Sequence, residues 1–109
     1  MELLRNLPTD EARALKDLIA LRPGCVASRA LSRSEHCQMT LLAFDAGESV
    51  SEESYFGDTM YLVLEGQMPL TMDGRTFLLS AGDCLSVPAN TLHAIGGTAA
   101  FKLLQITLS

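Results

Sequence analysis

The apolar positions of this chain change their spacing near residue 25. Before it, Ala12, Leu15 and Ile19 recur at helical intervals behind Thr9, a good capping residue, with Asp10 and Glu11 in the turn where negative charge suits the helix dipole. This predicts a short helix that ends before the Pro23-Gly24 turn, with an extended start over residues 18–21 as the alternative. From Cys25 onward the apolar residues fall in short β-compatible runs: 26–31, 38–44, 60–64, 70–72, 75–79, 84–87, 93–95 and 101–108. Turn residues separate them: Asp45-Ala46-Gly47-Glu48, Glu65-Gly66, Asp73-Gly74, Ala81-Gly82-Asp83, Pro88 and Gly96-Gly97. The unbroken apolar run 60–64 is consistent with a strand buried on both faces or with a sandwich core. Asp73-Gly74 between two extended runs predicts a two-residue hairpin, because both central residues must tolerate positive φ.

Eight or nine short strands with no long helix predict an all-β domain, a sandwich, barrel or jelly roll. With 109 residues, no internal repeat and no linker, one domain is the simplest organisation. Residues 1–24 are expected to form an N-terminal segment that packs on the barrel or on a dimer partner. Residues 25–109 are expected to form the barrel itself.

Composition excludes several partners. Net charge is −5 with 8 Lys+Arg, so nothing favours nucleic-acid binding. No apolar run approaches the roughly 20 residues of a membrane helix, so no membrane contact is expected. Residues 1–6 carry no basic cluster ahead of an apolar core, so the expected compartment is the cytoplasm. Cys25, Cys37 and Cys84 are odd in number and form no C-x-x-C pair, which predicts buried small hydrophobes rather than disulfides. His36 and Cys37 are adjacent, point to opposite faces of a strand and make a poor start for a metal site. His36 reads as a surface or dimer-contact residue. Met39, Met60, Met68 and Met72 read as core or cavity-lining residues. Glu48, Glu52, Glu53 and Asp58 gather in one stretch that reads as a solvated loop.

Two spaced patterns remain. The first runs Gly47, Glu53, Tyr55, Thr59, Gly66, ending in Tyr61-Leu62-Val63-Leu64-Glu65-Gly66; the second runs Gly82, Pro88, Asn90, His93, Gly97. Their glycines, proline and histidine resemble, at the same spacing, the two motifs of the cupin superfamily, G-x5-H-x-H-x3,4-E-x6-G and G-x5-P-x-G-x2-H-x3-N. The resemblance implies a single RmlC-like, double-stranded β-helix (jelly-roll) barrel with a short N-terminal helical or extended segment. It also implies a place for a metal, held in the family by two histidines and a glutamate of the first motif and one histidine of the second. Here those places hold Glu53, Tyr55, Thr59 and His93, and only His93 is an unchanged ligand. Glu53 and His93 make two good donors, whereas a divalent ion generally wants at least three at about 2.0–2.3 Å.

The expectation is therefore a barrel that binds a small organic ligand, with His93, Tyr55, Glu53, Tyr61 and Met60 facing it. No cofactor is expected; a divalent transition metal on His93 and Glu53 is the alternative, with a dioxygenase, isomerase or decarboxylase activity of the kind the resemblance allows. Each residue also has a plainer reading. His93 is then an interior imidazole bonded to a backbone carbonyl or to Tyr55, Glu53 a solvent-facing carboxylate, and the tyrosines packing residues. Neither the sequence nor the resemblance decides whether the chain is an enzyme. Small cupins resemble this chain in commonly pairing as dimers, and a homodimer with residues 1–35 contributing is expected.

Overall fold

The computed structural model describes residues 3–109; Met1 and Glu2, which open the 1–24 segment, lie outside the described residues. Eight strands follow one 3-10 turn at Leu15–Leu18: β1 Val26–Arg33, β2 Cys37–Phe44, β3 Ser49–Glu53, β4 Asp58–Met72, β5 Arg75–Ser80, β6 Cys84–Val87, β7 His93–Gly96 and β8 Phe101–Leu108. All pairings are antiparallel. The order β1-β2-β8-β4-β7-β3 forms a curled sheet, with β5 and β6 also on β4.

β4 is the hinge of this arrangement. Its first half pairs with β8 and β6 and its second half with β5 and β7. Glu65-Gly66 is not the expected turn: the strand runs straight through it with a register shift between Val63 and Glu65. Gly66 has φ +80° and its Hα side faces the Ala100 carbonyl so closely that a Cβ would lie 2.4 Å from that oxygen. Only glycine fits there, and the bulge lets one long strand serve both the β6/β8 side and the β5/β7 side of the curled sheet. The Asp73-Gly74 hairpin forms as expected, with φ of 53° and 73° and Met72 paired to Arg75.

Alternation along the strands makes two cores. Inside the barrel lie Phe44, Tyr61, Val63, Met68, Leu70, Leu79, Val87, Ile95, Phe101 and Leu103. On the other face of the β1-β2-β8-β4 sheet lie Leu31, Leu41, Ala43 and Leu104, with Leu62, Leu64 and Ile106 partly buried. The run 60–64 is thus buried on its inner face and partly buried on its outer one, one of the two arrangements its composition allows. Leu18 and Ile19 of the N-terminal segment cover the outer cluster. Arg29 and Lys102 fasten that segment by donating to the carbonyls of Leu18 and Lys16, at 2.9 and 2.8 Å.

The expected N-terminal helix is replaced by the single 3-10 turn. No side chain caps it, and Thr9 and Ala12 are exposed. Helices this short hold together only through tertiary packing, and here the segment gains more by laying Leu15, Leu18 and Ile19 on the sheet. The three thiols are free, but only Cys25 and Cys37 are even half-buried. Cys84 is exposed, contrary to expectation, because it follows the Ala81–Asp83 turn at a strand end.

Candidate functional site

The barrel interior changes character along its axis. Three neighbouring strands stack their inward side chains in rows. Phe44 lies opposite Phe101, and Leu42 opposite Leu103 and Val63. The next row is Thr40, Gln105 and Tyr61, and the last is Gln38, Thr107 and Thr59. The rows go from aromatic to aliphatic to polar. Thr59 and Thr107 close the final row with a 3.0 Å hydrogen bond between their hydroxyls.

His93 enters the polar end from β7. It is buried, and its partner in register on β3 is Glu53. A bulge between Val50 and Glu53 breaks the alternation of β3. Val50 packs into the interior core, and the bulge brings Glu53, three residues on, to the same side while Glu52 stays exposed. Two short loops complete the end. Asn90 donates its backbone N–H to the Tyr55 carbonyl at 2.7 Å, and Ala89 donates to Asp58 Oδ1 at 2.9 Å. Asn90 takes φ +61° where the motif has glycine. Asparagine tolerates that left-handed conformation better than other side chains, so the loop survives the exchange.

Two hydrogen bonds hold the His93 ring. Nδ1 lies 2.9 Å from the Thr91 carbonyl oxygen, which can only accept. In the neutral ring Nδ1 then carries the proton and Nε2 accepts. Nε2 lies 2.6 Å from Tyr61 Oη, so the Tyr61 hydroxyl donates to it. The two rings meet edge-on at 5.5 Å between centroids, and Tyr55 lies 6.1 Å from His93. Burial pushes the Tyr61 phenol far above its ordinary value, with smaller contributions from Tyr55 and Glu53. The Tyr55 phenol is also raised, mainly by burial; Gln105 beside it acts in the opposite sense, and Glu53 reinforces the rise.

Of the anticipated site residues, His93, Tyr55, Glu53 and Tyr61 come together. Met60 does not join them: it neighbours Tyr61 on a strand and so faces the opposite side of the sheet, with Leu62 and Leu64. The phenol bonded to His93 is that of Tyr61, not Tyr55. Gln105 and Thr107 belong to the site although no motif marks them. Their signal is the switch from apolar to polar at every second position of β8, from Phe101 and Leu103 to Gln105 and Thr107.

A cavity of about 160 Å³ opens at this end, lined by Gln38, Tyr55, Phe56 and Thr107 among others. Phe56 is 93% exposed on its rim. A larger groove of about 480 Å³ lies between the N-terminal segment and β1, remote from these residues. Among the described residues no group of three or more His, Cys, Asp or Glu side chains is placed to hold a metal. The one imidazole of the interior already has its Nε2 lone pair engaged by Tyr61. The donor set does not fit a divalent transition metal. No described helix is long and apolar enough to cross a membrane.

Comparison with known proteins agrees with this architecture. A cupin superfamily protein from Desulfitobacterium hafniense is 48% identical, with a TM-score of 0.93 over 96% of both chains. A conserved protein of unknown function from Streptococcus pyogenes, 24% identical, shares the fold with a TM-score of 0.94 over 100% of this chain and 96% of that one. Among curated proteins, a stretch of 40 residues is 50% identical to quercetin 2,3-dioxygenase of Bacillus subtilis; it spans 37% of this chain and 12% of that enzyme. The cupin domain family matches residues 40–107, across the two spaced motifs and the strands that carry them, and the chain belongs to that family.

Proposed function

We propose that this protein binds a small organic molecule at the polar end of its barrel, where His93, Tyr61, Tyr55 and Glu53 orient it. The observation that carries this reading is the concentration of hydrogen-bonding side chains in the last two interior rows, directly beside an open cavity. The cavity is about the size of one that admits benzene, which suits a ligand of one small ring or a short chain.

A thermal-shift screen against a broad metabolite panel tests the reading. A binder at 100 times its Kd stabilises by about 2.7 kcal/mol, a shift of several degrees in a chain of this length. Tyr55→Ala is expected to abolish the shift. Absence of any stabilising compound in such a panel would overturn the reading.

The short stretch similar to quercetin 2,3-dioxygenase supports a second reading, a metal-dependent cupin enzyme; a metal on His93 and Glu53 would require Tyr61 to release Nε2 and an outside donor to complete the set. Stoichiometric Fe, Mn, Ni, Cu or Zn in protein purified without chelator would establish it. We also propose a cytoplasmic homodimer to which residues 1–35 contribute. Leu3 and Leu4 are exposed apolar residues within that segment. A monomer mass in light scattering at micromolar concentration would refute the dimer.

A further inference from the structure

We infer that the uncovered half of the β1 edge, with the groove beside it, is a docking site for an extended acidic segment of a partner protein. The site is remote from the polar end of the barrel and does not depend on the ligand-binding reading.

β1 ends the sheet, so no strand lies beyond its outer edge. The N-terminal segment covers only the far half of that edge. Arg5 donates its backbone N–H to the Leu31 carbonyl at 2.8 Å, and the Asn6 amide donates to the Ala30 carbonyl at 2.7 Å. Among the described residues no backbone group outside β2 pairs with residues 26–29. That open stretch is about 13 Å of strand. Beside it runs the groove of about 480 Å³ that separates β1 from the end of the N-terminal segment. The groove is lined by Arg22 and Arg29 and by no carboxylate, in a chain of net charge −5. Neither arginine makes an ion pair among the described residues. The bond from Arg29 Nη1 to the Leu18 carbonyl, at 2.9 Å, holds that guanidinium in place and leaves its other N–H groups free for a carboxylate.

An open strand edge pairs with an extended chain, main-chain bonds giving affinity and side-chain sites giving selection. Here the selection is by charge. Ala27 and Arg29 share the outer face of β1, while Val26, 38% exposed, takes the other. An added strand lays its carboxylates over the arginines and its apolar side chains beside Val26. A second copy is the poorer occupant. β1 carries Arg29 and Arg33 and no acidic residue, so two such edges would set like charges against one another.

The test uses the intact protein and the fluorescein-labelled peptide Ser-Glu-Val-Glu-Val-Glu-Ser, followed by fluorescence polarisation and by the amide resonances of residues 26–29. Binding is expected, with those amides shifted most and the affinity falling as salt is raised. Arg22→Glu, at an exposed position, is expected to weaken it by at least about tenfold, the worth of one charge-assisted hydrogen bond. The same peptide with lysine in place of glutamate is expected not to bind. Failure of the acidic peptide to bind at millimolar protein, equal binding of the lysine peptide, or unchanged affinity in Arg22→Glu would each overturn the inference. So would displacement by millimolar inorganic phosphate with no shift of the β1 amides, the mark of a bare anion site. Hydrogen-exchange protection of residues 26–29 that grows with protein concentration would place a second copy on this edge and overturn it too. None of these outcomes bears on the metabolite screen, which tests the barrel separately.

Discussion

The two ends of this barrel interior are built on the same strands and differ in what their inward positions carry. At one end Phe44 stacks on Phe101 with ring centroids 4.6 Å apart, over Leu103, Val63 and Met68. At the other, Thr59 bonds Thr107 and Tyr61 bonds His93 through directed hydrogen bonds, with Gln105 in register beside Tyr61. The apolar end is stabilised by area and shape, which are forgiving of direction. The polar end holds only if each donor finds its acceptor, and no buried side-chain nitrogen or oxygen among the described residues lacks one. Stability belongs mostly to the first region; the second is where the proposed ligand would be oriented.

This division predicts unequal losses on mutation. Phe101→Ala removes the centre of the apolar end and is expected to cost about 3–5 kcal/mol in urea unfolding. A loss under about 1 kcal/mol would mean that the stacked end does not anchor the fold. Tyr61→Phe keeps the ring and deletes one hydroxyl, leaving the buried Nε2 of His93 without its donor. The expected cost is about 1–3 kcal/mol, with the strands unchanged by circular dichroism.

The pH dependence separates the ends further. Burial raises the Tyr61 phenol well above its ordinary value of 10.0, and Tyr55 moves the same way. A phenol raised in the folded state contributes stability that is complete below its unfolded pKa. That contribution declines above pH 10, where the unfolded chain releases the proton and the folded one keeps it. Unfolding free energy is therefore expected to fall between pH 9 and 11, and Tyr61→Phe to flatten the slope. An unchanged slope in the variant would place the titrating group elsewhere. The smallest effect concerns the loop under the polar end. Asn90→Ala, at φ +61°, is expected to cost about 1 kcal/mol, while Asn90→Gly costs little or nothing. If both variants behave alike, the backbone conformation is not what the asparagine supplies.

Much of the scaffold was legible along the chain. The Asp73-Gly74 hairpin, the strand at the apolar run 60–64 and the spacing of both motifs rest on local rules of dihedral and alternation, and all appear in the fold. The site was read in part. His93, Tyr55 and Glu53 stand at motif positions, and Tyr61 in the stretch that ends the first motif. Met60 was placed on the wrong side because an apolar run carries no sign of which face is inner. Gln105 and Thr107 match no motif, and their meaning appears only when β8 is set between β2 and β4.

What the sequence by itself determined is therefore the alphabet of strands and turns, since backbone sterics and the period of two act within a few residues. Only the tertiary structure decided that Glu65-Gly66 bends a continuous strand, that residues 9–19 give up a helix to cover the sheet, and that the Tyr61 proton points at His93. Each of those outcomes depends on a partner more than ten residues away in the chain, and no local pattern encodes which partner will be there.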